Sequence, residues 1–196
     1  MIGETKERGE VFHMGITNPK QLAMKNGEMF TIRTALPDDA EKILSFTKAI
    51  IREADYLVTT EDEFHFTAKE QEQFLKDMLT NDGKLAIVAE FKGEIIGFLD
   101  FHNGNKKRIS HQGAFGMSVA KAYRNQGVGR GMLESLIQWA KDNPLIEKVC
   151  LEVFAKNIQA ISLYKKFGFI EEGRKRKAVK FDNNEYDDLI LMAYFV

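Results

Sequence analysis

The chain has 196 residues, the size of one ordinary domain with room for a short extension, and 44% of them are hydrophobic, which excludes a globally disordered chain. A formal net charge of -1 argues against the polycationic surface expected of a nucleic-acid-binding protein. The single cysteine, Cys150, excludes an internal disulfide and a multi-cysteine zinc site.

In chain order, the charged start from Met1 to Glu10 lacks the apolar core of a signal peptide. No run approaches the ~18 apolar residues of a membrane span. With one cysteine, this sets the expectation of a soluble, cytoplasmic protein without a membrane partner. Residues 1–28 show no sustained period and carry Gly3, Gly9, Gly15, Pro19 and Gly27, so they read as an N-terminal extension to a domain over 29–196. Phe30-Thr31-Ile32-Arg33 alternates as a short strand. Pro37-Asp38-Asp39 opens a helix with the apolar stripe Ala40, Ile43, Leu44, Thr47, Ile50 and Ile51. Thr67-Ala68-Lys69-Glu70 has the spacing of a capping box and starts a second helix, which ends by Asn81-Asp82-Gly83.

Leu85–Phe91 reads as a buried strand, Lys92-Gly93 as a tight turn, and Glu94–Phe101 as the antiparallel partner. A third strand covers Gln112–Val119, completing a meander. Leu133, Leu136, Ile137 and Ala140 mark a helix over 127–142, which Pro144 follows. Lys148–Phe154 is a strand, Asn157–Phe167 a helix, and two further strands begin at Phe169 and Tyr186. The order β-α-α-β-β-β-α-β-α-β-β implies a mixed α/β (α+β) fold: one mixed, mostly antiparallel sheet flanked by helices.

Arg124-Asn125-Gln126-Gly127-Val128-Gly129-Arg130-Gly131 lies between a strand and a helix. Glycines at a helix start allow close approach to backbone amides, and unpaired amides and the helix dipole favour an anion. The spacing is neither a Walker P-loop nor G-x-G-x-x-G, and the loop follows a meander rather than opening a βαβ unit. Two readings stand side by side: an anion cradle, and glycines that let helix and sheet pack closely.

Arg124-x-x-Gly127-x-Gly129 resembles the (Q/R)-x-x-G-x-(G/A) motif of the GNAT superfamily of N-acetyltransferases. Asn157-x-x-Ala160-x-x-Leu163-Tyr164, with Gly168-Phe169, resembles that family's second signature. Either alone is weak; both in this order are specific, and the resemblance extends over residues 30–196. It implies a GNAT-like fold with acetyl-CoA as acetyl donor and an amine as acceptor. Contacts to the cofactor's pyrophosphate then fall on Arg124, Asn125, Gln126, Gly127, Val128, Gly129 and Arg130. Met117-Ser118-Val119 would pair with the amide-bearing pantetheine arm as an added strand.

The resemblance makes Tyr164 the general acid that protonates the departing thiolate, against a plain reading as a core tyrosine. Asn157 would orient the cofactor, or cap the helix that it opens. Glu152 is a candidate to relay the acceptor's proton through water, against its reading as a surface carboxylate on an alternating strand. His111 is a weaker candidate, and His13, His65 and His102 have no metal-ligand spacing, so no metal is expected. Glu53, Asp55, Glu61, Asp62 and Glu63 cluster between the first two helices; as an acidic rim they would attract a cationic amine, and as a solvated loop they would do nothing specific. The basic run Arg174-Lys175-Arg176-Lys177 reads as the solvated face of a late hairpin and assigns no partner. The expected reaction is direct attack of a primary amine on acetyl-CoA in a ternary complex, with a protein N-terminus, an amino acid or a polyamine left open as acceptor, the alternative being a non-catalytic acetyl-CoA sensor. Open strand edges leave room for a homodimer.

Overall fold

One apolar strand shows how the molecule is layered. In β3 (Lys84–Phe91), Leu85, Ile87 and Ala89 point into one hydrophobic cluster while Ala86 and Val88 point into another. A strand covered on both faces has no polar side to alternate with, hence the nearly unbroken apolar run. The computed structural model describes residues 15–53 and 55–196; residues 1–14 of the expected extension, His13 among them, lie outside the described residues.

Eight strands form one sheet in the order β1-β2-β3-β4-β5-β6-β8-β7. The strands besides β3 are β1 (Lys20–Ala23), β2 (Met29–Thr34), β4 (Glu94–Asn103), β5 (Gln112–Val119), β6 (Lys148–Phe154), β7 (Ile170–Lys180) and β8 (Tyr186–Phe195). Neighbours are antiparallel except β5 and β6, which run parallel. Lys92 and Gly93, with φ of 51° and 82°, form the two-residue turn between β3 and β4, in the left-handed conformation that tight hairpins favour.

Among the described residues, four α-helices cover the sheet: α1 (Ala40–Glu53), α2 (Ala68–Thr80), α3 (Val128–Asp142) and α4 (Ile158–Lys166). On one face Ile43, Phe46 and Ile50 of α1 meet Leu75 and Met78 of α2. On the other, Met132, Leu133 and Leu136 of α3 pack in the larger cluster with Leu85, Ile87 and Leu99. Asp39, just ahead of α1, holds both guanidinium nitrogens of Arg33 at 2.7 and 2.8 Å and accepts the Leu36 amide at 2.8 Å. The capping box at Thr67 is formed as its spacing predicts, with Glu70 accepting the Thr67 amide at 2.9 Å. No helix among the described residues is long and apolar enough to cross a membrane.

The mixed, mostly antiparallel sheet and its helices agree with the sequence reading, with one addition. The sheet begins inside the stretch read as an extension, because Lys20–Ala23 pairs with Ile32–Met29 of β2. Gly131 of α3 has no side chain where a Cβ would stand 2.5 Å from Leu22 and 2.9 Å from Ile32, so the β1–β2 hairpin seats directly on the helix.

Candidate active site

The parallel pair β5–β6 holds for only three residues, Gln112–Ala114 against Lys148–Cys150. Beyond that point β5 continues to Val119 against β4 alone, and β6 continues to Phe154 against β8 alone. The sheet therefore splits, and the inward-facing backbone groups of both strands are left without a ladder partner. Unpaired strand edges are where an extended, amide-bearing ligand can add. Met117 and Ser118 line the cleft that opens there, and Val119 ends the free edge of β5.

At the mouth of the split, the chain crosses a short turn (Lys121–Tyr123) and enters α3. The backbone amides of Asn125, Gln126, Gly127, Val128, Gly129 and Arg130 donate to no acceptor among the described residues. Asn125 and Gly127 have φ of 62° and 99°, so left-handed residues alternate through the turn. Successive amides arranged in this way at a helix N-terminus form a concave anion site. The first internal bond of α3 comes only with the Gly131 amide, which reaches the Gly127 carbonyl at 3.0 Å. Free amides at a helix start are the kind of groups that could hold a pyrophosphate.

Both sequence readings of the glycines hold, at different residues. A Cβ on Gly127 would meet nothing within 4 Å, so its role is the positive φ; Gly131 serves close packing. Arg124 is held by protein groups on one side while its side chain stays 35% exposed. Its Nε donates to the Val119 carbonyl at 3.0 Å and its guanidinium stands 3.5 Å from Glu53, which also accepts the Lys121 amide at 2.8 Å. The Lys25 amide binds the Gln126 carbonyl at 3.2 Å, so the segment after β1 braces the loop from the other side. Arg130 pairs with Glu134 at 2.9 Å on the exposed side of α3.

The split opens into a cleft of about 610 Å³ that contains Tyr164, Asn157 and Glu152. Tyr164 is 7% exposed, wedged against the rings of Phe115 and Phe169, each 5.8 Å away between centroids. Its hydroxyl bonds to no described residue, and burial pushes its pKa up to about 12. A phenol so placed holds its proton at neutral pH: it can act as an acid, not as a base. Asn157 does cap α4, with Oδ1 accepting the Ala160 amide at 3.1 Å. Glu152 lies on the cleft wall and is ion-paired with Lys175 of β7 at 2.5 Å. His111 is not among the residues lining the cleft.

The segment between α1 and α2 turns its apolar side chains, not its acids, to the cleft. Tyr56, Leu57, Phe64 and Phe66 line it, while Glu61 pairs with Arg52 at 2.6 Å and Glu63 caps Thr60 at 2.9 Å. Glu53, Asp55, Glu61, Asp62 and Glu63 are all absent from the cleft lining. The Tyr56 hydroxyl reaches across to the Lys156 carbonyl at 3.3 Å, which ties this segment to the far side of the split. The basic run lies on β7, a terminal strand of the sheet, where exposed charge discourages edge-to-edge pairing.

Two cleft residues were not anticipated from sequence. Asp100 of β4 lines the floor, with Oδ2 at 2.9 Å from His102 Nε2. Gln71 of α2, 6% exposed, also lines the cleft, and its carboxamide bonds to no described residue. The available signal was a carboxylate between Leu99 and Phe101 in a strand covered on both faces, and a polar residue one turn before Leu75 on the buried side of α2.

This architecture has known counterparts. Residues 50–169 match the acetyltransferase (GNAT) family. The L-amino acid N-acetyltransferase AaaT of Escherichia coli is 33% identical over 107 residues, covering 55% of this chain and 65% of that protein. An N-alpha-acetyltransferase of Sulfolobus acidocaldarius is 33% identical over 128 residues, covering 61% of this chain and 74% of the relative. The crystal structure of a GNAT-family acetyltransferase from Streptococcus pneumoniae superposes with a TM-score of 0.83 at 29% identity, covering 85% of this chain and 99% of that one. The split sheet, the amide-lined turn and these likenesses agree: the chain belongs to the acetyltransferase (GNAT) family and is an acetyltransferase.

Proposed function

We propose that the protein transfers the acetyl group of acetyl-CoA to a primary amine by direct attack within a ternary complex. The observation that carries this reading is the split between β5 and β6: the buried Tyr164 lines the cleft that it opens, and the six unpaired loop amides follow in the chain just after the free edge of β5. Acetyl-CoA supplies the activated acetyl thioester. The amides from Asn125 to Arg130 hold its pyrophosphate, and Arg124 acts by bracing their turn. Met117, Ser118 and Val119 bind its amide-bearing arm along the free edge of β5, and Asn157 fixes the start of α4 beside it. Tyr164 gives its proton to the sulfur as the thioester breaks. Glu152 takes the acceptor's proton through water, with Lys175 fixing its carboxylate.

Direct attack is favoured by the state of the only thiol in the chain. Cys150 is not among the cleft residues, and burial pushes its pKa up, so no thiolate stands ready to carry an acetyl group. The acceptor is not fixed by kinship, since one relative is named for L-amino acids and another for N-alpha-acetylation. Thiol release with acetyl-CoA and a panel of amines, run beside calorimetric CoA binding, tests the proposal. Tight CoA binding with no thiol released for any amine would refute it.

A further inference from the structure

The lining of the cleft goes further than the reaction class and bears on the acceptor; the step rests on the acetyl transfer proposed above. The walls are aromatic. Phe46 and Phe74 come from the two helices, Phe64 and Phe66 from the segment between them, Phe98 from the floor, and Phe154 from β6. No Lys, Arg or His is among the described residues that line it.

Its two carboxylates are not equivalent. Glu152 has its own cation in Lys175 at 2.5 Å. Asp100 has only the His102 ring on Oδ2, and Oδ1 accepts no hydrogen bond from any described residue. Oδ1 faces Gly116, where a Cβ would stand 3.6 Å away. Gln71 adds a neutral carboxamide that bonds to no described residue and lines the cleft. A side-chain donor and acceptor open to a ligand cleft can be met by a polar group on the ligand.

We infer that the acceptor is a primary amine on an aromatic or bulky apolar body, with no ionised carboxylate beside the amine. Asp100 receives the ammonium on entry, and Gln71 meets a neutral polar group if the acceptor has one. A free amino acid would bring its carboxylate into an aromatic wall without a cation, which is strongly unfavourable. A polyamine would need carboxylates at intervals along its length, and the cleft lining offers two: Glu152, held by Lys175, and Asp100, with Oδ1 open. An aralkylamine and a peptide N-terminus with a bulky first residue share the required chemistry.

The test measures thiol release by the full chain with acetyl-CoA and four acceptors: phenethylamine, phenylalanine amide, phenylalanine and spermine. Expected kcat/KM for phenethylamine or phenylalanine amide exceeds that for phenylalanine and spermine by at least about tenfold. The better of the first two tells a free amine from a peptide N-terminus. Asp100→Asn should raise KM for the favoured amine roughly 10- to 100-fold, the worth of a hydrogen bond to a charged group, with CoA affinity unchanged. The inference is overturned if phenylalanine or spermine matches the apolar amines, or if Asp100→Asn leaves KM alone. Turnover with none of the four, nor with any other amine, defeats the acetyl-transfer reading itself.

Discussion

Replacing Tyr164 with Phe removes one oxygen and keeps the ring. The ring is what the fold uses, since it packs against Phe115 and Phe169 with centroids 5.8 Å away, while the hydroxyl bonds to no described residue. No protein hydrogen bond is lost, so unfolding free energy should change by less than about 1 kcal/mol. Catalysis should change far more, because a positioned general acid contributes ~10²–10⁴-fold, or about 3–5 kcal/mol of barrier. Burial holds the Tyr164 pKa at about 12, so the acid form is filled throughout the neutral range, and wild-type kcat should show no alkaline fall from this group until pH approaches that value. The assay pairs steady-state thiol release with calorimetric CoA binding and thermal melting of the Tyr164→Phe variant. A fall in kcat of at least about 100-fold, with unaltered CoA affinity and melting temperature, is expected. Unchanged kcat would reduce Tyr164 to a packed ring and pass the thiolate's protonation to water. A large drop in melting temperature would refute the claim that the hydroxyl has no structural work.

The same raised pKa carries a stability signature. A phenol at about 12 when folded and about 10 when unfolded costs the fold nothing below the unfolded value; as pH rises through the folded one the unfolded state gains by its easier ionisation, a loss of fold stability of roughly 2–3 kcal/mol. Alkaline unfolding followed by circular dichroism should therefore be less steep in Tyr164→Phe. Gly127 has φ of 99° with open space around it, so substitutions should weaken CoA binding in order of their tolerance of left-handed backbone, Asn least and Val most, with Val at least about tenfold by calorimetry. Gly131→Val should act on stability instead, costing about 1–3 kcal/mol in denaturant melts, because its Cβ would stand 2.5 Å from Leu22. For Asp39, burial pushes the pKa up, but the Arg33 and Leu36 bonds outweigh it and hold the carboxyl below its ordinary value. Its contribution is thus present above the unfolded pKa near 4 and is lost as pH falls through the folded one. Asp39→Ala should lower stability by about 1–3 kcal/mol at neutral pH, and the gap to wild type should close in acid unfolding curves.

What the sequence made legible was what repeats at short range. The alternation around Phe30, the capping box at Thr67, the turn at Lys92-Gly93 and the stripe through Leu133 and Leu136 each lie within a dozen residues, and each element formed where its pattern stood. What escaped was decided at long range. Lys20–Ala23 is too short to display a period, and its apolar residue, Leu22, acquires meaning only from Gly131. Glu53, Glu61 and Glu63 are engaged by Lys121, Arg124, Arg52 and Thr60, while Tyr56, Leu57, Phe64 and Phe66 line the cleft, and no local pattern foretells that exchange.

The phosphate loop shows the limit at single-residue scale. In the string from Arg124 to Gly131, the glycines and arginines support an anion cradle and a packing contact equally well, since both need small residues at the start of a helix. The three-dimensional placement divides the labour. Gly127 takes a left-handed backbone within the run of six amides that lack a described acceptor, and Gly131 admits the β1–β2 hairpin, from which Lys25 reaches the turn. Arg124, the residue that by charge alone most resembles a phosphate ligand, binds the Val119 carbonyl and Glu53. An anion site built chiefly from main-chain amides makes a specific demand on mutagenesis. Arg124→Gln, which keeps a donor for the Val119 carbonyl, should retain most CoA affinity, whereas Arg124→Glu, which sets a second carboxylate against Glu53, should lose it through the loop. Equal losses in calorimetric titrations of the two variants would show that the guanidinium charge itself grips the ligand.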